Sequence, residues 1–172
     1  MPHPDFFQFN VPTHVIFGDD ISKDFSAELS RLSLARPMIV SDRGLHDSGL
    51  IAPICDGLKA AGRVIAGTFL DIPAVTTTQI VKALAFEAKQ CGADGLVAIG
   101  GGTIIDTAKA ANILLTHGGD LLADYSGAQT LPGPLKPLVA IPTTAGTGSE
   151  VTSAAVIGDD QDGIKLSFVD HH

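Results

Sequence analysis

Three consecutive glycines, Gly100, Gly101 and Gly102, stand between an apolar run, "GLVAI", and a helical pattern that opens at Thr103. Each glycine costs backbone entropy, so three together point to something large that must approach the backbone. The first turn of a helix presents free N–H groups and a partial positive charge, which suit a phosphate. Thr103 is placed to cap this helix, and Asp106 three residues on completes a capping box. The loop is not G-x-G-x-x-G, because Ile105 holds the last position, and no Gly-Lys-Ser/Thr follows as in a Walker A loop. A tight turn packing a helix closely on a strand would use the same glycines. A second stretch, "IPTTAGTGSEVT", gathers hydroxyls at Thr143, Thr144, Thr147, Ser149 and Thr152. No apolar core wants so many hydroxyls together, so a polar ligand or a set of helix caps would use them. Asp42 ends "MIVSD". A carboxylate at a strand end can hold a ribose diol and repel a 2′-phosphate, or simply cap a turn.

The elements that position these residues follow from periodicity. "FFQFN" and "THVIFG" read as two strands of an N-terminal hairpin. "SKDFSAELSRLSLA" puts Phe25, Leu29 and Leu32 on one helical face, and "SGLIAPICDGLKAAG" repeats Leu50, Ile54 and Leu58 before stopping at Gly62. "TTTQIVKALAFEAKQCG" carries Ile80, Leu84 and Ala88 and stops at Gly92. The helix after the glycines turns Ile104, Ala108, Ala111 and Leu115 toward a sheet. "PMIVSD", "RVIAGTF", "GLVAIGG" and "PLVAIPTT" are short apolar strands between these helices. Apolar strands alternating with helices predict an α/β fold, a parallel sheet covered on both faces. "HGGDLLADYSGAQTLPGPLK" breaks the rhythm and reads as a surface excursion, and "EVTSAAVIGDDQDGIKLSFVD" reads as two strands around a "DDQDG" turn. No domain boundary is visible inside the chain.

The chain has 172 residues, 45% of them hydrophobic, enough for one domain with its own core. A net charge of −8 argues against nucleic acid as a partner. No apolar run is long enough to span a membrane, and "MPHPDFFQFN" lacks the features of a signal peptide. Cys55 and Cys91 are too few for a disulfide framework and read as buried thiols, which fits a reducing, cytoplasmic setting. Phe6, Phe7 and Phe9 would leave an apolar edge strand unless it pairs across a two-fold axis, so a homodimer is expected.

Taken together, "GGGTIIDTAK" and "PTTAGTGSEVT" resemble the iron-containing, metal-dependent alcohol dehydrogenase family, whose patterns are Gly-Gly-Gly-Ser-x-x-Asp-x-Ala-Lys and a Pro-Thr-Thr segment ending in Glu-(Val/Thr)-(Thr/Ser). The resemblance extends along the whole chain as the family's N-terminal nucleotide-binding half. It implies a Rossmann-like domain, with the family's all-helical domain lying outside this chain. It further implies that Gly101, Gly102 and Thr103 hold a pyrophosphate, and that Thr143, Thr144 and Thr147 line the adenine and ribose side. Asp42 then favours NAD over NADP, and Lys165 lies near the nicotinamide ribose unless it is a solvated strand lysine. Asp106 contacts the ligand or caps the helix. Thr103 replaces the family's commoner serine and keeps the hydroxyl, whereas "DIPAVTTTQ" lacks the family's asparagine around Ala74.

The implied reaction is hydride transfer between a primary or secondary alcohol and nicotinamide, with an alcohol or aldehyde as the small-molecule substrate. The family's Fe²⁺ or Zn²⁺ is held by one Asp and three His of the helical domain. Of His3, His14, His46, His117, His171 and His172, His46 alone has an aspartate four residues before it, and that aspartate is Asp42, already read as the ribose-side carboxylate, so no metal ligand is expected here. His171 and His172 are read as native sequence at a truncation or as the remains of a tag. Two other readings stand beside this one. One is an inactive, stand-alone nucleotide-binding fragment; the other is a glycerol dehydrogenase-like or dehydroquinate synthase-like relative, against which "PTTAGTGSE" speaks.

Overall fold

The strand Pro37–Val40 (β1) is apolar at every position and buried at every position. Such a run is stable only when both faces of its sheet are covered, and the computed structural model, which describes residues 13–158 and 165–170, shows how. β1 pairs in parallel with Gly67–Phe69 (β2) on one side and with Gly95–Gly100 (β3) on the other. β3 in turn pairs in parallel with Leu138–Pro142 (β5), giving the order β2-β1-β3-β5. Register places Val40 beside Ala98 and Gly100 beside Pro142, so β3 and β5 run two residues past the end of β1.

Alternation along the strands divides the core in two. Met38, Val40, Leu96 and Ala98 face Thr78–Gln90 (α4) and Gly102–His117 (α5), meeting Val81, Leu84, Ile105 and Ala108. Ile39, Val97 and Ile99 face the other way, onto Leu29 of Ser26–Arg31 (α1) and onto Ile54 and Leu58 of Ala52–Ala60 (α3). A 3-10 turn, Ile21–Lys23, precedes α1, and a short helix, Arg43–Asp47 (α2), follows β1. The expected helix stops at Gly62 and Gly92 are present, at φ +73° and +67°. Among the described residues no helix is long and apolar enough to cross a membrane.

A second sheet lies beside α5. Ala154–Gly158 (β6) and Lys165–Val169 (β7) form the expected antiparallel pair, and Gly127–Ala128 (β4) joins β7 in parallel. Two side chains of α5 attach this sheet. Lys109 Nζ donates to the carbonyls of Thr152 (2.7 Å) and Ala154 (2.9 Å), and Asp106 Oδ2 accepts from Val156 N (3.1 Å).

Several expectations are corrected. "THVIFG" forms no strand: residues 13–17 carry no sheet pairing, and the only described tie to the body from Thr13 is a long bond to Val151 O (3.4 Å). "FFQFN", the other half of the hairpin, lies outside the described residues. In α3 the core face begins at Ile51, which is 2% exposed, and not at Leu50, which is 55% exposed. Four-residue spacing from Ile54 fits Leu50, but the helix starts only at Ala52, so the chain has already turned Leu50 outward. Both cysteines are half-buried and free rather than fully buried.

The glycine-rich excursion is more than a loop. It contains Leu121–Tyr125 (α6), whose Leu121 and Tyr125 are buried in the core. Asp120 caps α6, with Oδ1 accepting from Leu122 N (3.0 Å) and Ala123 N (3.1 Å) and Oδ2 meeting Lys82 Nζ at 3.0 Å. The Ala123 N–H, then Lys82 and the Leu122 N–H, hold the Asp120 carboxyl down to about 2. A folded-state value below the unfolded one means that the cap stabilises above the usual carboxylate range, about 3.9, and that this contribution is lost as pH falls toward 2. Wild type should therefore melt above Asp120→Ala at neutral pH, and the gap should narrow as pH falls through this window. Thermal melts across the acid range check it; a gap independent of pH would refute the assignment.

Candidate cofactor site

The order β2-β1-β3-β5 reverses direction between β1 and β3, since the chain goes to β2 on one side and then crosses to β3 on the other. Ligands of open α/β sheets bind at such a switch point, beyond the carboxyl ends of the strands. Asp42 follows β1, and Gly101 and Gly102 follow β3. The buried hydroxyl of Ser41 donates to Ile99 O (2.7 Å), locking the two strand ends together. A groove of about 570 Å³ opens there, lined by Asp42, the segment 72–74, Gly101–Ile104, and Thr143 and Thr144.

α5 starts one residue earlier than the sequence suggests. Gly101 is its N-cap, at φ −79° and ψ −174°, and its carbonyl accepts from Ile104 N and Ile105 N, both at 3.1 Å. No side chain caps the helix. The expected capping box of Thr103 and Asp106 is therefore absent. Thr103 lies inside the first turn, where its hydroxyl donates to Ala74 O (3.3 Å), and Asp106 lies too far along to reach back, facing β6 instead. Burial pushes the Asp106 carboxyl above its usual range, partly offset by the Val156 N–H. Burial also pushes the Lys109 amine down, against the pull of Asp106 and Glu150.

The first-turn N–H groups of Gly102 and Thr103 have no carbonyl partner within the helix and sit at the groove. The glycines let the hydroxyl-rich segment approach the backbone more closely than side chains would allow. A Cβ on Gly101 would lie 3.2 Å from Thr144 Oγ1, and one on Gly102 would lie 3.1 Å from Ser149 Oγ and 3.3 Å from Thr147 Cβ. The hydroxyl-rich segment is thus folded directly over the glycine junction, helped by Thr143 N donating to Gly100 O (3.1 Å). An uncapped helix start with no Cβ in front of it fits the diphosphate of a dinucleotide.

The other predicted residues are placed as follows. Asp42 lines the groove and also caps α2, with Oδ1 accepting from Leu45 N (2.8 Å). Thr147 packs on Gly102, but its hydroxyl already donates to Glu150 Oε2 (3.1 Å). Lys165 is exposed at the start of β7, opposite Gly158, and does not line the groove. Its neighbour Gly158 bonds Thr76 O (3.1 Å), so Lys165 stands beyond the 72–77 segment. Sequence reasoning missed Ser41, a buried hydroxyl with no distinguishing pattern, and Lys109. The second had a signal: Asp106 and Lys109 are three apart on one helix, the spacing of a charge pair on one face. Among the described residues, no group of three or more His, Cys, Asp and Glu side chains could hold a metal ion.

Comparison with known proteins adds a family. A family model described as iron-containing alcohol dehydrogenase matches residues 12–172. The NAD-dependent methanol dehydrogenase of Bacillus methanolicus is 36% identical over 163 residues, 94% of this chain and 42% of the relative. The 4-hydroxybutyrate dehydrogenase of Cupriavidus necator is 36% identical over 163 residues, 93% of this chain and 42% of the relative. Among solved structures, that of a 1,3-propanediol oxidoreductase superposes with a TM-score of 0.89 at 31% identity, covering 96% of this chain and 43% of its own. The chain thus spans less than half the length of the proteins it matches.

Proposed function

The chain belongs to the iron-containing alcohol dehydrogenase family, and from that premise we propose that it is the portion of an NAD(H)-dependent alcohol dehydrogenase that binds and orients the dinucleotide. The observation that carries this reading is the uncapped start of α5, with Gly101 and Gly102 at the switch point of the sheet. The bound nicotinamide would carry the hydride. The work of this chain's residues is to hold it. Gly102 and Thr103 offer main-chain N–H groups to the pyrophosphate, Thr143 and Thr144 wall the opposite side of the groove, and Asp42 offers its carboxylate to a ribose diol. Among the described residues no group of His, Cys, Asp and Glu side chains fits a metal. The substrate, a small alcohol or aldehyde, and a cytoplasmic homodimer belong to the same proposal. Val15 and Phe17, 63% and 97% exposed, favour association.

The test is titration with NADH and NADPH. Like charges brought together at a site cost on the order of a kcal/mol or more, so NADH should bind about tenfold tighter or better. Asp42→Gly should bring the two affinities together. Absence of NADH binding to the wild type would end the dinucleotide reading; equal affinities in the wild type would end the role given to Asp42.

A further inference from the structure

Asp42 does not stand alone at the end of β1: the next residue is Arg43, the first of α2. The two have opposite preferences. An acidic side chain at this position selects a free ribose diol, while an arginine nearby accommodates a 2′-phosphate. The chain therefore carries both residue types side by side, and a third residue contacts the arginine. Asp71 lies just past β2, the strand next to β1, and bridges to Asp42 across the strand ends. Its Oδ1 takes both Arg43 Nε (2.8 Å) and Arg43 Nη2 (2.6 Å). Asp42 lines the dinucleotide groove, whereas neither Arg43 nor Asp71 does. The guanidinium is thus turned toward the neighbouring strand end, with its charge already matched.

We propose that Asp71 is a specificity-determining residue: it holds Arg43 away from the ribose site and, with Asp42, sets two carboxylates against one guanidinium. A 2′-phosphate arriving there meets a net negative corner and an occupied arginine. The side chains are 71% and 63% exposed, and exposed ion pairs are weak. The pair is accordingly a detent that one substitution releases, with little effect on the fold. This inference rests on the dinucleotide reading given above.

The experiment compares NADH and NADPH affinities, by calorimetry, in wild type, Asp71→Ala and Asp71→Ala/Arg43→Ala, with Asp71→Asn as a second variant should the alanine form fail to fold. Loss of Asp71 should tighten NADPH binding about five- to tenfold, a change of about 1 kcal/mol, and leave NADH within about twofold. The double variant should lose that gain. Raised salt should erode the gain, since it rests on a charge contact. NADH binding with no gain for NADPH in Asp71→Ala overturns the proposal alone, as does a gain that survives removal of Arg43. Absence of NADH binding to the wild type overturns the proposal and the dinucleotide reading together.

Discussion

Replacing Gly101 with valine is expected to abolish measurable NADH binding while leaving a folded chain. The backbone permits the change: φ at Gly101 is −79°, a value any residue adopts. The Cβ itself would sit 3.2 Å from Thr144 Oγ1, so that threonine must give by a few tenths of an ångström. Overpacking of this kind costs about 1–3 kcal/mol, less than the 5–15 kcal/mol typical of a domain. Binding suffers far more. The branched methyls would occupy the approach to the Gly102 and Thr103 N–H groups. A hydrogen bond to a charged group contributes about 1.5–3 kcal/mol, so losing two would weaken binding on the order of 10²-fold or more. Calorimetry with NADH and a thermal melt of the same variant provide the measurement. Unchanged affinity would show that the glycines serve helix packing and not phosphate.

Ile99→Ala should have the largest effect on stability. Ile99 is fully buried in the central strand, its side chain packed in the cluster shared with Leu29, Ile54 and Leu58. Truncating a buried isoleucine costs about 2–5 kcal/mol, which for a domain of this size lowers Tm by roughly 4–20 °C. Its carbonyl also receives the Ser41 hydroxyl, so local slackening should loosen Asp42 against the glycines and weaken NADH binding. Val156→Ala, at a side chain 40% exposed, is the control and should move Tm little. A drop for Ile99→Ala no larger than that of the control would contradict the two-sided burial of the sheet.

The features of this fold that were legible in the sequence are those governed by local rules. Fully apolar runs such as "PMIV" and "GLVAIG" announce strands of a parallel sheet, and Gly62 and Gly92 end helices because an L side chain resists positive φ there. The glycine junction and the hydroxyl segment were legible as separate polar oddities; that Thr144 and Thr147 pack on Gly101 and Gly102 is a tertiary fact. The failures are of the same kind. A capping box depends on where the helix begins, and a shift to Gly101 moved Asp106 from the cap to β6. Leu50 and Ile51 differ by one residue, which periodicity over a nine-residue helix does not distinguish. Leu121 and Tyr125 are buried by a five-residue helix, too short to show a period amid glycines and prolines. Nothing local marks Asp71 as the partner of Arg43, 28 residues away.

The order β2-β1-β3-β5 also bears on how the chain reaches its native state during synthesis. Among the described strands of this sheet β1 comes first in the chain, β2 and β3 pair with its two edges, and β5 pairs with β3. β2, β3 and β5 each pair with a strand that precedes them in the chain. No later strand has to separate a pair that is already joined, which is the step that would expose a half-built apolar sheet to misassembly. The sheet extends in both directions from β1, and the groove between Asp42 and the glycines lies along the seam where those directions diverge.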